Sequence, residues 1–145
     1  MGDNNLTESI KALMGVSLLQ TKIMRRIDNQ LSFHGINFTE FMVLFHLNLS
    51  VEHTMRRIDL AERIGLTASG VTRLLAPMEK IGLVQKERNL RDARVSLVKL
   101  TKAGKTMFKD TTVVLEHAAE QQTQNLSEKE LGQFIRLLDK MLSGN

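Results

Sequence analysis

Residues 57–81 constrain this chain more than any other stretch. Leu60, Ala61 and Ile64 supply an apolar face at helical spacing, Gly65 can take the left-handed backbone that ends a helix, and Thr67 carries a hydroxyl suited to cap the next one. Val71, Leu74, Leu75 and Met78 then recur at spacings of three and four, which buries the second helix against the first. A residue as small as Ala61 lets the two approach closely. The pattern spells helix, tight turn, helix. On its opposite face the second helix shows Ala68, Ser69, Gly70, Thr72 and Arg73, small or polar and mostly in the first turn. Helix N-terminal amides favour phosphate, and short side chains beside them let the backbone enter a nucleic-acid groove while Arg73 reaches outward.

The residues after this unit extend the surface. Pro77 removes one helical hydrogen bond and crowds the preceding turn, so a kink is expected there. Gly82 ends the helix. Leu83-Val84 and Val95 to Leu100 read as two strands joined by a polar loop, Arg88 to Arg94, with arginines at 88, 91 and 94. A short hairpin so armed, directly after a helix-turn-helix, is what a wing reaching toward a minor groove needs. A surface loop knitted by Asp92 is the alternative.

Charge distribution favours a polyanion-facing middle. The formal net charge is only +4, yet residues 56–109 hold 13 Lys or Arg against 5 Asp or Glu, a local +8, while the remainder sums to −4.

The flanks are helical. Leu6, Ile10, Leu13, Val16, Leu19, Ile23, Ile27 and Leu31 predict one long helix over residues 6–33, stopped by Gly35. Asn37 and Glu40 form an N-cap signature for a second helix, to about Leu49. Thr101 caps a helix over about 102–124. Ser127 and Glu130 box the start of a last helix striped by Leu131, Phe134, Ile135, Leu138, Met141 and Leu142. These helices carry more apolar stripe than one small core requires, so they suit either a second copy of the chain or an intramolecular bundle. The fold class is mainly α, with a small hairpin.

Several chemistries are excluded or disfavoured. There is no cysteine, which removes disulfides, thiolate zinc sites, thiol catalysis and cysteine redox sensing, and suits a reducing, cytoplasmic setting. Six Phe with no Trp or Tyr argue against a base-stacking platform for single strands. Met1 to Glu8 is polar and acidic, unlike a secretory signal, and the longest apolar run, Phe41 to Phe45, is far short of a membrane span. Gly104-Lys105-Thr106 resembles the tail of a phosphate loop, but Lys99 stands where its first glycine belongs. His34, His46, His53 and His117 show no paired ligand spacing, so no metal, no cofactor and no catalytic residue is expected. Met14, Met24, Met42 and Met107 suit core filling or an adaptable ligand cavity.

Leu60-Ala61-Glu62-Arg63-Ile64-Gly65-Leu66-Thr67, Val71-Thr72-Arg73-Leu74-Leu75, Met78 to Val84, Asp92-x-Arg94 and Leu100-Thr101-Lys102-Ala103-Gly104 together resemble the MarR family of winged-helix transcriptional regulators. The likeness is nearly collinear over the chain. It implies one domain, 1–145, with a winged-helix DNA-binding core at 37–100 and a helical dimerisation region at 5–34 and 101–143. It also implies a homodimer on a pseudo-palindromic double-stranded operator, acting as a repressor released by a small aromatic or anionic ligand. Ala68, Ser69, Gly70, Thr72 and Arg73 become recognition positions, and Arg88, Arg91, Asp92 and Arg94 the wing, with Asp92 orienting arginine rather than touching DNA. Two departures stand out: Ala93 replaces a basic residue common in relatives, and Pro77 lies inside the recognition helix. A helical protein-interaction module that has lost DNA binding and a His/carboxylate metal sensor are the competing functions. No membrane partner is expected.

Overall fold

A computed structural model describes residues 6–144; Met1 to Asn5, part of the polar acidic start, and Asn145 lie outside the described residues. The first helix, α1 (Glu8–Leu31), is capped by Thr7 and gives way to one turn of 3-10 helix, Ser32–His34, which Gly35 ends at φ 78°. Asn37 and Glu40 close the expected capping box on α2 (Phe38–Leu49), each side chain accepting from the other's backbone N–H at 2.8 and 3.0 Å. Together the two bonds satisfy amides that a helix start otherwise leaves unpaired.

After α2 comes an element that the sequence pattern does not announce. Thr54–Arg56 forms a short strand, β1, and runs straight into α3 (Arg57–Ile64). The turn before it is tight: Glu52 and His53 sit at φ 54° and 55°, a left-handed region sparsely populated by side-chain-bearing residues. Helix α4 (Ala68–Lys80) follows the Gly65 turn, with Thr67 accepting from the Gly70 N–H at 3.0 Å. Strands β2 (Val84–Arg88) and β3 (Ser96–Leu100) make the expected hairpin, but β3 also pairs antiparallel with β1. The sheet order is β1-β3-β2, three strands instead of two. Two further helices, α5 (Lys102–Thr123) and α6 (Glu128–Leu142), complete the chain, the latter with the Ser127–Glu130 capping box in place.

Helix α4 is continuous across Pro77. Both Pro77 and Arg73, whose carbonyl loses its helical donor, are exposed, so water can satisfy that oxygen. The orphaned carbonyl lies in the second turn, beyond the first turn where Ala68, Ser69 and Gly70 stand.

The core is formed by Leu31, Val43, Leu44, Leu47, Leu60, Val71, Leu75, Met78, Val84, Val98 and Leu100, all fully or almost fully buried. Phe41 on α2 stacks on Phe108 of α5 at 5.5 Å between ring centres. The terminal helices are different. Helix α6 has no buried residue, and Leu6, Ile10, Leu13, Met14, Val16 and Leu18 at the start of the chain are exposed together with Ile135, Leu137, Met141 and Leu142. Among the described residues, no helix is long and apolar enough to cross a membrane.

Candidate nucleic-acid interface

The face of α4 that does not enter the core consists of the small and polar residues expected there. Ala68, Ser69, Thr72 and Arg73 are exposed and Gly70 half-buried, because Val71, Leu75 and Met78 occupy the inward positions one turn apart. Thr67 and Ser69 hydroxyls lie 3.2 Å apart, and Thr72 donates to the Ala68 carbonyl at 3.1 Å, so the first turn is locally organised.

The wing is held from its tip. Asn89 Oδ1 accepts from the N–H groups of Arg91 and Asp92, at 2.8 and 3.2 Å, folding the loop into an Asx turn. Asp92 then takes Arg94 in a two-point grip, Nε to Oδ1 at 3.1 Å and Nη2 to Oδ2 at 3.3 Å, and also accepts the Arg94 N–H at 3.0 Å. The Arg94 side chain, with help from its own backbone N–H, holds the Asp92 carboxyl below its ordinary value. Arg94 itself is 91% exposed at its side chain. The aspartate therefore orients a solvent-facing guanidinium, while Arg88 and Arg91 are exposed elsewhere on the hairpin.

Helix α4 and the hairpin share a cleft of about 780 Å³, bordered by Ala68 and Thr72 on one side and Arg94 and Ser96 on the other. Arg73, Arg88 and Arg91 do not line it. An ion pair absent from the sequence-based expectations stiffens the unit: Arg57 Nη1 lies 3.1 Å from Glu79 Oε1, with both side chains mostly buried, tying α3 to α4. Their separation of 22 positions gives no local signal of it.

The MarR family model matches residues 36–96, which spans α2, the helix-turn-helix, β2 and the hairpin loop up to the first residue of β3. Over that segment the chain is similar to the MarR family. Among curated relatives, the transcriptional repressor MprA of Escherichia coli K12 is 26% identical over 125 residues, covering 86% of this chain and 71% of MprA. The HTH-type transcriptional regulator PapX of Escherichia coli is 23% identical, covering 84% of this chain and 77% of PapX. Among solved structures, a mutant Escherichia coli MarR in complex with operator DNA superposes with a TM-score of 0.84 at 25% identity, covering 96% of this chain and 99% of that one. AbsC, a MarR-family regulator from Streptomyces coelicolor, reaches the same TM-score at 19% identity, covering 98% and 99%. The MarR likeness in structure thus extends beyond the matched segment to the terminal helices.

Outside this interface, the described residues contain no group of three His, Asp or Glu side chains arranged to hold a metal. One histidine is perturbed. Partial burial, with Arg63 nearby, pushes His46 below its ordinary value of 6.5. The folded state therefore favours neutral imidazole, and its contribution to stability is present above pH 6.5 and is lost as pH falls through the lower folded value. An NMR titration of the His46 ring should give a midpoint below 6.5; a midpoint at or above that value contradicts the burial argument.

Proposed function

We propose that this protein is a homodimeric, sequence-specific regulator of transcription of the MarR family that binds double-stranded DNA at a pseudo-palindromic operator and acts as a repressor. The observation that carries the reading is the shared cleft, where the uncovered first turn of α4 and the clamped Arg94 of the wing face the same space. Ala68, Ser69, Gly70, Thr72 and Arg73 enter the major groove; Arg88, Arg91 and Arg94 approach the flanking minor groove, with Asp92 as their organiser. Residues 37–100 form the DNA-binding core of a single domain, and 5–34 with 101–143 form the dimerisation region. The apolar surfaces of α1 and α6 that one chain leaves uncovered support the second assignment. A regulator of transcription works beside the DNA, so we assign it to the cytoplasm.

Release by a small aromatic or anionic ligand completes the proposal. A cleft of about 580 Å³ between α1, α2 and α6, lined by Ile23, Met24, Phe38, Met42 and Leu138 among others, has the apolar character such a ligand needs. To lower DNA affinity tenfold, the ligand must prefer the non-binding arrangement by about 1.4 kcal/mol.

The central test is salt dependence. Duplexes selected from a random pool should bind with a log-log salt slope of about −0.9 per phosphate neutralised, and Arg94→Ala should weaken binding about tenfold and flatten the slope. Affinity independent of salt, or unaffected by Arg94→Ala, would refute the assignment.

A further inference from the structure

Arg56 and Arg57 are neighbours with opposite fates. Arg57 turns inward to Glu79, whereas Arg56 ends β1, pairs in register with Leu97 of the wing strand, and immediately precedes α3. Its guanidinium grips Asp59 at two points, Nε to Oδ2 at 2.8 Å and Nη2 to Oδ1 at 2.9 Å. The same two-point grip holds Arg94 on Asp92. Both arginines line the cleft between helix-turn-helix and wing, whose lining is mainly apolar: Ile58 is 68% exposed and borders the same space as Val95. Glu62 is the acidic residue on this rim.

Geometry decides what such a cleft can hold. When α4 occupies one groove of a duplex and the wing the adjacent groove, the sugar-phosphate strand separating those grooves must pass between them, over this cleft. That strand alternates apolar deoxyribose with anionic phosphate, which matches an apolar surface flanked by guanidiniums. We propose that the cleft seats this strand, with Arg56 holding phosphate from the helix side, Arg94 holding it from the wing side, and Ile58 packing against deoxyribose. Arg56 belongs to neither recognition helix nor wing. It is a positioning residue that sets where the duplex lies and reads no base. Asp59 holds the planar guanidinium in one orientation before DNA arrives, and a phosphate can share the remaining donors. The inference rests on the DNA-binding function proposed for the same surface.

The test compares the wild type with Arg56→Gln, Arg56→Lys and Asp59→Asn on two probes, a pool of random 40-base-pair duplexes and the sequences that the wild type selects from it. Arg56→Gln should weaken both probes by the same factor, leaving the specificity ratio unchanged, and should reduce the salt slope by about 1 per half-site. Arg56→Lys should restore the slope, and Asp59→Asn should bind at least as tightly as the wild type. Loss of binding confined to the selected sequences would make Arg56 a base reader and overturn the inference. So would an unchanged slope in Arg56→Gln, or equal weakening by Asp59→Asn, which would make the pair a staple of α3. In each of those cases the wild type still binds, so the DNA-binding function survives. A wild type that binds neither probe overturns both.

Discussion

Gly104→Ala is expected to lower the midpoint of thermal unfolding by about 10 °C. A Cβ built on Gly104 would lie 2.1 Å from the Leu83 carbonyl oxygen and 2.6 Å from Leu100 Cδ1. The first obstacle is backbone, which cannot rotate away. The same carbonyl accepts the Thr101 N–H at 3.1 Å, and the Thr101 hydroxyl reaches both it and the Gly82 carbonyl while accepting from Gly104 N–H at 3.0 Å. The start of α5 is thus locked onto the end of the helix-turn-helix, and a methyl group there must push the two apart. Overpacking of this kind costs about 3 kcal/mol, and each kcal/mol shifts the midpoint by about 3–4 °C at this chain length. Calorimetry at fixed protein concentration checks it. A shift below about 2 °C would mean that the joint yields easily.

The second large effect concerns assembly. Ile135 and Leu142 on α6 are 51% and 78% exposed in the single chain, so replacing both by Glu removes little from its own core. In a dimer that buries this stripe, four carboxylates would lose their water, and each costs several kcal/mol without a partner. The double variant should sediment as a folded monomer of about 16.4 kDa with wild-type helical content. Its affinity for a two-half-site operator should fall by roughly 10²–10⁴, because the second half-site no longer benefits from tethering. Persistence of the dimer at micromolar concentration would move the interface away from α6.

The long helices are legible because their ends are written in side chains. Asn37 with Glu40, Thr67, Thr101 and Ser127 with Glu130 all form the N-terminal caps that their spacing predicts. The Gly35 and Gly65 stops are equally local, both at positive φ as their turns require. Strand β1 could not be read this way: three residues are too few to register an alternation, and its pairing with Val98 and Leu97 lies more than 40 positions away. Arg56 was hidden for the same reason, since only that pairing brings it beside the wing. Asp92 was legible as a partner of Arg94 because only Ala93 separates them in a turn. The need for glycine at 104 comes from a contact with Leu83, which no local pattern announces.

Strand β1 also limits how DNA affinity can be controlled. It is stitched to the central strand of the wing on one side and continues without a linker into α3 on the other, while Arg57 and Glu79 bolt α3 to α4. The wing and α4 are therefore coupled to one another as a single tool head. The adjustable quantity in a dimer is the separation and tilt of two such heads. The repeat of the double helix, about 34 Å per turn, then acts as the gauge against which an effector succeeds or fails.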